Sequence, residues 1–330
     1  MKRCGMAGVA VLVAMASFGA DATVELRMAS NAHRTDPPTV GDQVAFEWLQ
    51  QAVEEQTNSE VSIEVYWGQA LGDEAQLLSG LETGVVDILP NAGSNVARVI
   101  PQAGLLSTSY LFRDFDHYKA VVNDDAFFGR LQEIVDELDL GYQLVGMGAT
   151  GSRNLYNRAR EIETPEDAQG LKMRVMASPV EFKVWSTMGM IPSNVPSSEI
   201  YMALQTGVVD AAESSIPFIV SNKYYEVAPH ISLTNHQIST HLYFMNDEAL
   251  ARVPEEHRDT LLALLRETGN RHIDATKELS AEMLETLRAQ PGVTVTEVDT
   301  AEFADKLVAL QDEVAKELGV TDLLEVIRSH

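Results

Sequence analysis

Two arginines carry the sharpest chemistry in this sequence. Arg174 lies near the centre of Gly170-Leu171-Lys172-Met173-Arg174-Val175-Met176, and Arg153 lies between Ser152 and Asn154 in the extended segment 149–157. A guanidinium presents donors in a rigid planar fork and can grip a carboxylate through two parallel hydrogen bonds. Each charge-assisted bond contributes about 1.5–3 kcal/mol. One bidentate arginine with several neutral partners therefore suffices for micromolar binding, about −8 kcal/mol. A second reading stays open, in which each arginine is a surface charge or half of a structural ion pair. Other chemistry is thin. The sequence has no G-x-S-x-G, no H-E-x-x-H, no P-loop and no G-x-G-x-x-G that opens a helix. Its eight histidines are scattered, and His230, His236 and His241 do not have one-turn ligand spacing. Pairs such as Glu54-Glu55 and Glu255-Glu256 read as solvated helix faces, and Met173 and Met176 as core.

The elements that hold the arginines follow from local signals. Leu171, Met173 and Val175 alternate with Lys172, Arg174 and Met176, which predicts a strand with one buried face. Upstream, Thr164 can cap a helix, Pro165 suits its first position and Glu166-Asp167 favour its positive end, so a short helix ends at Gly170 and delivers the strand. Segments 24–29, 62–67 and 85–89 read as strands, with helices over 41–56 and 74–83, the second capped by Asp73 and stopped at Gly84. That alternation predicts an α/β layer with a mostly parallel sheet. Further strands are expected at 142–147, running on to 157, at 231–245 and at 293–298, with helices at 181–188, 197–207 and 303–318. Between Pro254 and Pro291 there is one glycine, Gly269, and the segment is dense in Ala, Leu and Glu. It predicts a helix of up to about 50 Å, long enough to brace two lobes, with Gly269 the place for a kink.

One internal echo bears on the architecture. Leu81-Glu82-Thr83-Gly84-Val85-Val86-Asp87 returns as Leu204-Gln205-Thr206-Gly207-Val208-Val209-Asp210. Each copy stops a helix at glycine, starts a strand and runs into a polar loop, Asn91-Ala92-Gly93-Ser94 in one case and Glu213-Ser214-Ser215 in the other. Either a good helix-stop signal is reused, or two similar lobes each present a strand-end loop to a shared cleft, where ligands of open α/β sheets sit.

Composition sets limits. With 330 residues, two domains are expected, and a hydrophobic share of 45% supports well-packed cores. The net charge of −25 argues against nucleic acid and means that any anion site is a local positive island. Residues 1–22 read as a secretory signal: Lys2 and Arg3, an apolar run over 9–18, and Ala20-Asp21-Ala22 with cleavage after Ala22. The apolar run falls short of the ~20 residues that span a bilayer. Cys4, the sole cysteine, leaves with it, so no thiol, disulfide or cysteine catalysis is expected in the mature chain. The expected location is a bacterial periplasm.

Together these residues resemble the solute-binding receptors of TRAP transporters, the DctP-type family. The resemblance rests on Arg153, the Thr164–Asp167 and Gly170–Val175 runs, Glu199 through Asp210, and Glu213, with Leu71-Gly72-Asp73-Glu74 and 84–87 from the first half. It spans essentially the whole mature chain. It implies an α/β fold of two lobes, each a mixed sheet flanked by helices, closing on an organic acid in the cleft between them. Lobe I is expected over 23–150 plus about 240–278, and lobe II over 151–239 plus about 279–330. It further implies delivery to an ion-gradient-driven permease of a small and a large membrane subunit. Arg174 resembles the family arginine that salt-bridges the ligand carboxylate, and Arg153 the second arginine beside it. Ser214 stands where the family usually has an asparagine, a departure that leaves room for a larger ligand or a water. Ser197 stands where some members place an aromatic. Asn31, His33, Glu74, Asn91 and Ser94 would face the cleft from first-lobe loops, and His236 from the strand at 231–245. Some relatives bind a metal with the ligand, and Glu213 is the residue positioned to join it; no metal or cofactor is expected here. The ligand class stands as dicarboxylate, keto acid or sugar acid. A sensor that presents the bound acid to a signalling receptor is the alternative to uptake. An enzyme is disfavoured by the lack of a nucleophile–base pair, and monomer and homodimer both stay open.

Overall fold

A computed structural model of the chain describes residues 23–330; the expected signal peptide and its cleavage after Ala22 lie outside the described residues. In chain order it contains β1 (Val24–Ala29), α1 (Gly41–Gln56), β2 (Val61–Tyr66), α2 (Glu74–Glu82), β3 (Ile88–Ala92), α3 (Gly93–Val96), α4 (Phe115–Val122) and α5 (Asp125–Asp136). There follow β4 (Tyr142–Asn157), β5 (Lys172–Val175), α6 (Pro179–Thr187), β6 (Ile191–Asn194), α7 (Ile200–Thr206), β7 (Ala211–Ser215) and α8 (Ile216–Ser221). The chain closes with β8 (His230–Asn246), α9 (Asp247–Arg252), α10 (Glu255–Arg288), β9 (Thr294–Thr296), α11 (Thr300–Leu307), α12 (Ala309–Leu318) and α13 (Thr321–Ser329). Among the described residues no helix is long and apolar enough to cross a membrane.

The sheet is one continuous surface in the order β2-β1-β3-β8-β4-β7-β5-β6, with β9 added against β8. Its two ends are parallel: β1 pairs β2 and β3, and β5 pairs β6 and β7. Its middle is antiparallel, where β8 pairs β3 and β4, and β4 pairs β7. The sheet is therefore mixed rather than mostly parallel. Two long strands serve both lobes: β4 and β8 run antiparallel from Tyr142↔Asn246 in the first lobe to Asn157↔His230 in the second. Their register shifts between Ala149 and Ser152 and again between Arg153 and Leu155. Such irregularities bend a strand and re-aim its side chains, and here they fall where the two lobes meet.

The echoed heptapeptides do equivalent work in the two lobes. Gly84 and Gly207 take left-handed conformations (φ 70° and 75°) as α2 and α7 end. Asp87 and Asp210 then each bind the neighbouring parallel strand. The Asp87 carboxylate accepts from Arg27 N at 2.7 Å, and that of Asp210 from Lys172 N at 3.1 Å. The Asp87 and Asp210 backbone amides donate in turn to Arg27 O and Lys172 O. Each copy leads through β3 or β7 into a short helix, α3 or α8.

Four apolar clusters flank the sheet, two per lobe. Helix α10 is common to three of them. Leu261 and Leu265 pack with Leu26 and Phe46, Ile273 joins Leu144 and Phe244, and Met283 and Leu287 join Tyr156 and Ile216. The helix runs uninterrupted through Gly269. A Cβ there would lie 2.0 Å from Met147 O, so this glycine is the point where α10 lies against the β4 backbone. The expectation that 279–330 belongs wholly to lobe II needs correction. Phe303, Leu307, Leu310 and Val314 do pack with Met173 and Trp185 of the second lobe. From Ala315 on, the apolar residues Leu323, Leu324 and Ile327 join Tyr118, Phe127 and Leu131 of the first. The apolar face of α13 is buried there against the apolar residues of α4 and α5. The β5 expectation also changes: Arg174 and Met176, on the face away from Met173, are as buried as Met173 itself, because that face looks into the cleft rather than solvent.

Candidate ligand site between the lobes

Where β4 and β8 cross between lobes, a cavity opens onto residues from both. The second lobe supplies Arg174 from the middle of β5, Arg153 from just past the β4 bulge, and Glu213 and Ser214 from the end of β7. The first lobe supplies Asn31 and His33 from the loop after β1 and Glu74 from the first turn of α2. That turn is fixed by a capping box in which the Asp73 carboxylate accepts from Ala75 N and Gln76 N, and Gln76 Oε1 accepts from Asp73 N at 2.9 Å. Seven of the residues expected from sequence are thus brought together.

The two arginines are held differently. Arg153 donates Nε and Nη2 as a fork to the Glu213 carboxylate, with Nη2–Oε1 at 2.7 Å, and also reaches Glu213 O at 2.8 Å and Ser239 Oγ at 3.1 Å. Both side chains are buried. Burial by itself pushes the Glu213 carboxyl upward, but the Arg153 charge, with help from His236, outweighs it and holds Glu213 well below the usual carboxylate range. Arg174, equally buried, donates Nε to Val195 O at 2.9 Å. Its Nη1 and Nη2 have no protein acceptor, and no carboxylate lies within ion-pair distance among the described residues.

Three expected residues stand behind the wall instead. The Ser94 hydroxyl is 2.8 Å from Ser107 Oγ and donates to Glu181 Oε1 at 2.9 Å, so it is engaged away from the cleft. Asn91 is buried in β3, its Oδ1 accepting from Asn95 Nδ2 at 3.4 Å, and it is Asn95 that reaches the cavity. His236 is paired through Nδ1 with Thr234 Oγ1 at 2.8 Å and packs edge-on against Trp185. It meets the site only through Glu213, whose carboxylate lies 3.5 Å from Nε2. Burial lowers its pKa, which keeps it neutral. Among the described residues no group of three or more His, Cys, Asp or Glu side chains is arranged to hold a metal ion. Both Glu213 oxygens accept from Arg153.

Behind the same wall, Glu181 of α6 forms a second buried carboxylate site. It accepts from Ser94 Oγ and from Trp185 Nε1 at 3.3 Å. Burial, reinforced by the negative charge of Glu213, raises its pKa to about 7.

Sequence reasoning missed much of the lining. Ser239 and His241 reach the cavity from β8, and Thr150 from the β4 bulge. Strand parity relates Ser239 to His241, both of which lie at odd separation from His236, the residue chosen from this strand. Gln69, Asn95 and Asn222 add amides, and Phe218 and Tyr224 add apolar wall. Asn222 and Tyr224 flank a left-handed turn at Lys223 (φ 54°), which no periodic pattern marks.

The arrangement defines a class: a two-lobed α/β receptor whose inter-lobe cavity holds one arginine with no ion-paired carboxylate among the described residues. The chain belongs to the bacterial extracellular solute-binding proteins, family 7 (DctP), whose model matches residues 32–318. Its structure has the two-lobed fold of the TRAP periplasmic solute-binding proteins. It is 29% identical over 283 residues to a solute-binding protein of Sulfitobacter sp. (strain NAS-14.1), covering 85% of each chain. It is 25% identical over 321 residues to the sialic acid-binding periplasmic protein SiaP of Vibrio cholerae, covering 97% of each. Among solved structures, a TRAP periplasmic solute-binding protein from Sulfitobacter sp. NAS-14.1 with bound alpha-D-taluronate matches with a TM-score of 0.85 at 28% identity, over 92% of this chain and 97% of that one.

Proposed function

We propose that this protein is a periplasmic receptor that captures a sugar acid between its lobes, holds the carboxylate on Arg174, and delivers it to an ion-gradient-driven TRAP permease of a small and a large membrane subunit. The observation that carries the reading is the contrast between the arginines: Arg153 has its carboxylate inside the protein, whereas the Arg174 fork lines an inter-lobe cavity with none. A buried charge is costly unless paired, and a ligand carboxylate is the partner of matching geometry. The amides and hydroxyls of Asn31, Gln69, Asn95, Ser214 and Asn222 suit a polyhydroxylated ligand, and the relatives support the same class. Sialic acid and taluronate, named for two of them, are both carboxylates bearing several hydroxyls.

The lobes of this receptor are 23–150 with 240–278, and 151–239 with 279–314, while the tail from Ala315 returns to the first. The signal peptide ends at Ala22. The test is a thermal-shift screen of the chain from Thr23 onward against uronates, aldonates, keto acids and C4-dicarboxylates, since a ligand that binds only the folded state raises the melting temperature. A sugar acid is expected to stabilise the protein, and Arg174→Ala to lower its affinity at least about 100-fold while the unliganded melt stays cooperative. Unchanged affinity in the folded variant would overturn the role of Arg174, and a response confined to C4-dicarboxylates would overturn the ligand class.

A further inference from the structure

The charges that line the cavity are few, and they do not balance for every acid. Arg153 is compensated by Glu213. Burial lowers the His241 pKa to about 4, so it is neutral near pH 7, and His33 is solvent-exposed. Two groups remain: Arg174, with no protein carboxylate, and Glu74, with no cation within ion-pair distance among the described residues. Glu74 Oε1 accepts from Gln69 Nε2 at 3.1 Å and from the Ser197 hydroxyl, which comes from the opposite lobe. Gln69 Nε2 also donates to Ser197 Oγ at 2.5 Å, so a small hydrogen-bonded group crosses the cleft. Glu74 Oε2 has no protein donor among the described residues, and the side chain lines the cavity. A second cavity adjoins it, lined by Asp73, Glu74, Arg174 and the exposed Arg98.

Resting on the sugar-acid reading above, we propose that Glu74 is a specificity-determining residue that restricts the site to monocarboxylic sugar acids. A carboxylate oxygen accepts hydrogen bonds only. Glu74 therefore takes ligand hydroxyls through its free oxygen, and it repels a second carboxylate. Specificity built on an unfavourable contact needs such a repulsive element, and like charges brought together across a binding contact suppress the wrong ligand. A dicarboxylate would place its first carboxylate on Arg174. Its second would meet Glu74 or Glu213, with no uncompensated cation inside the cavity to receive it.

Sugar acids on one carbon skeleton test this directly. D-Glucuronate and D-gluconate each carry one carboxylate and D-glucarate carries both; galacturonate, galactonate and galactarate form a second such set. Isothermal titration of the wild type is expected to show a uronate or aldonate binding at least about 100-fold more tightly than the matching aldarate. Glu74→Gln, which keeps the shape and the Ser197 contact but removes the charge, is expected to narrow that ratio to within about tenfold. Ser197→Ala keeps the charge and breaks the cross-cleft bond, and is expected to lower affinity while preserving the ratio. An aldarate that binds the wild type as well as its monocarboxylates, or a ratio unchanged in a cooperatively melting Glu74→Gln, overturns the inference and leaves the sugar-acid reading standing. So does a ratio relaxed as far by Ser197→Ala as by Glu74→Gln. Binding of none of the six acids overturns both.

Discussion

Arg153 and Arg174 lie in the same lobe, are buried to the same degree and line the same cavity, yet only one has its counter-charge within the protein. Arg153 sits beside β7, whose central residue Glu213, two positions before the Ser215 that pairs with Arg153, supplies a complete carboxylate fork. Arg174 sits one strand further out, anchored by a single backbone carbonyl. The first pair is a fixed part of the wall between the lobes, and the second arginine is available to something else. The lesson is general: a buried arginine in a cleft indicates an anion site only after the protein's own carboxylates have been assigned.

The largest expected effect comes from removing the fixed partner. Glu213→Gln leaves Arg153 buried without a counter-charge and is expected to lower unfolding free energy by about 3–5 kcal/mol, measured by urea denaturation without ligand. A loss under about 1 kcal/mol would mean that the pair is not the structural element described here. Next, Arg174→Lys keeps a positive charge but loses the planar fork. Affinity for the bound acid is expected to fall by about 10- to 100-fold, with stability changed by less than about 1 kcal/mol; a retained affinity would show that charge alone suffices.

The smallest effect distinguishes the two buried carboxylates by pH. Glu213 has a depressed pKa when folded, so its contribution is present above the ordinary value of 4.5 and is lost as pH falls below it. Glu181 is the opposite case. Its folded pKa of about 7 lies above the ordinary 4.5, so the folded state holds a proton that the unfolded state releases. Stability from this group is full below about pH 4.5 and is lost as pH rises to about 7. Glu181→Gln is expected to flatten the fall in stability between pH 5 and 8 by ~2 kcal/mol, read from urea midpoints across that range. An unaltered slope would show that Glu181 is ionised throughout.

Several elements were legible because their signals are local. Asp73 caps α2, and Gly84 and Gly207 end α2 and α7 in the left-handed conformation that glycine adopts at least cost. The strand expected at 231–245 is β8, and the helix expected between Pro254 and Pro291 is α10. The shared LxTGVVD run marks two lobes whose aspartates do the same work. The strand that carries Arg174 was legible from its alternation, whereas a cleft position for Glu74 came only from the family resemblance.

What the sequence determined by itself was thus the set of elements, their caps and the candidate arginines, since these depend on residues within a few positions of each other. The tertiary structure alone decided which polar groups meet. Glu213 engages Arg153 from 60 positions away, Ser94 meets Glu181 across 87, and Ser197 reaches Glu74 across 123. Pairings of that span depend on sheet order and on the β4 and β8 register shifts, which no local pattern encodes. The same reason sends α13 back to the first lobe and turns His236, Asn91 and Ser94 away from the cleft.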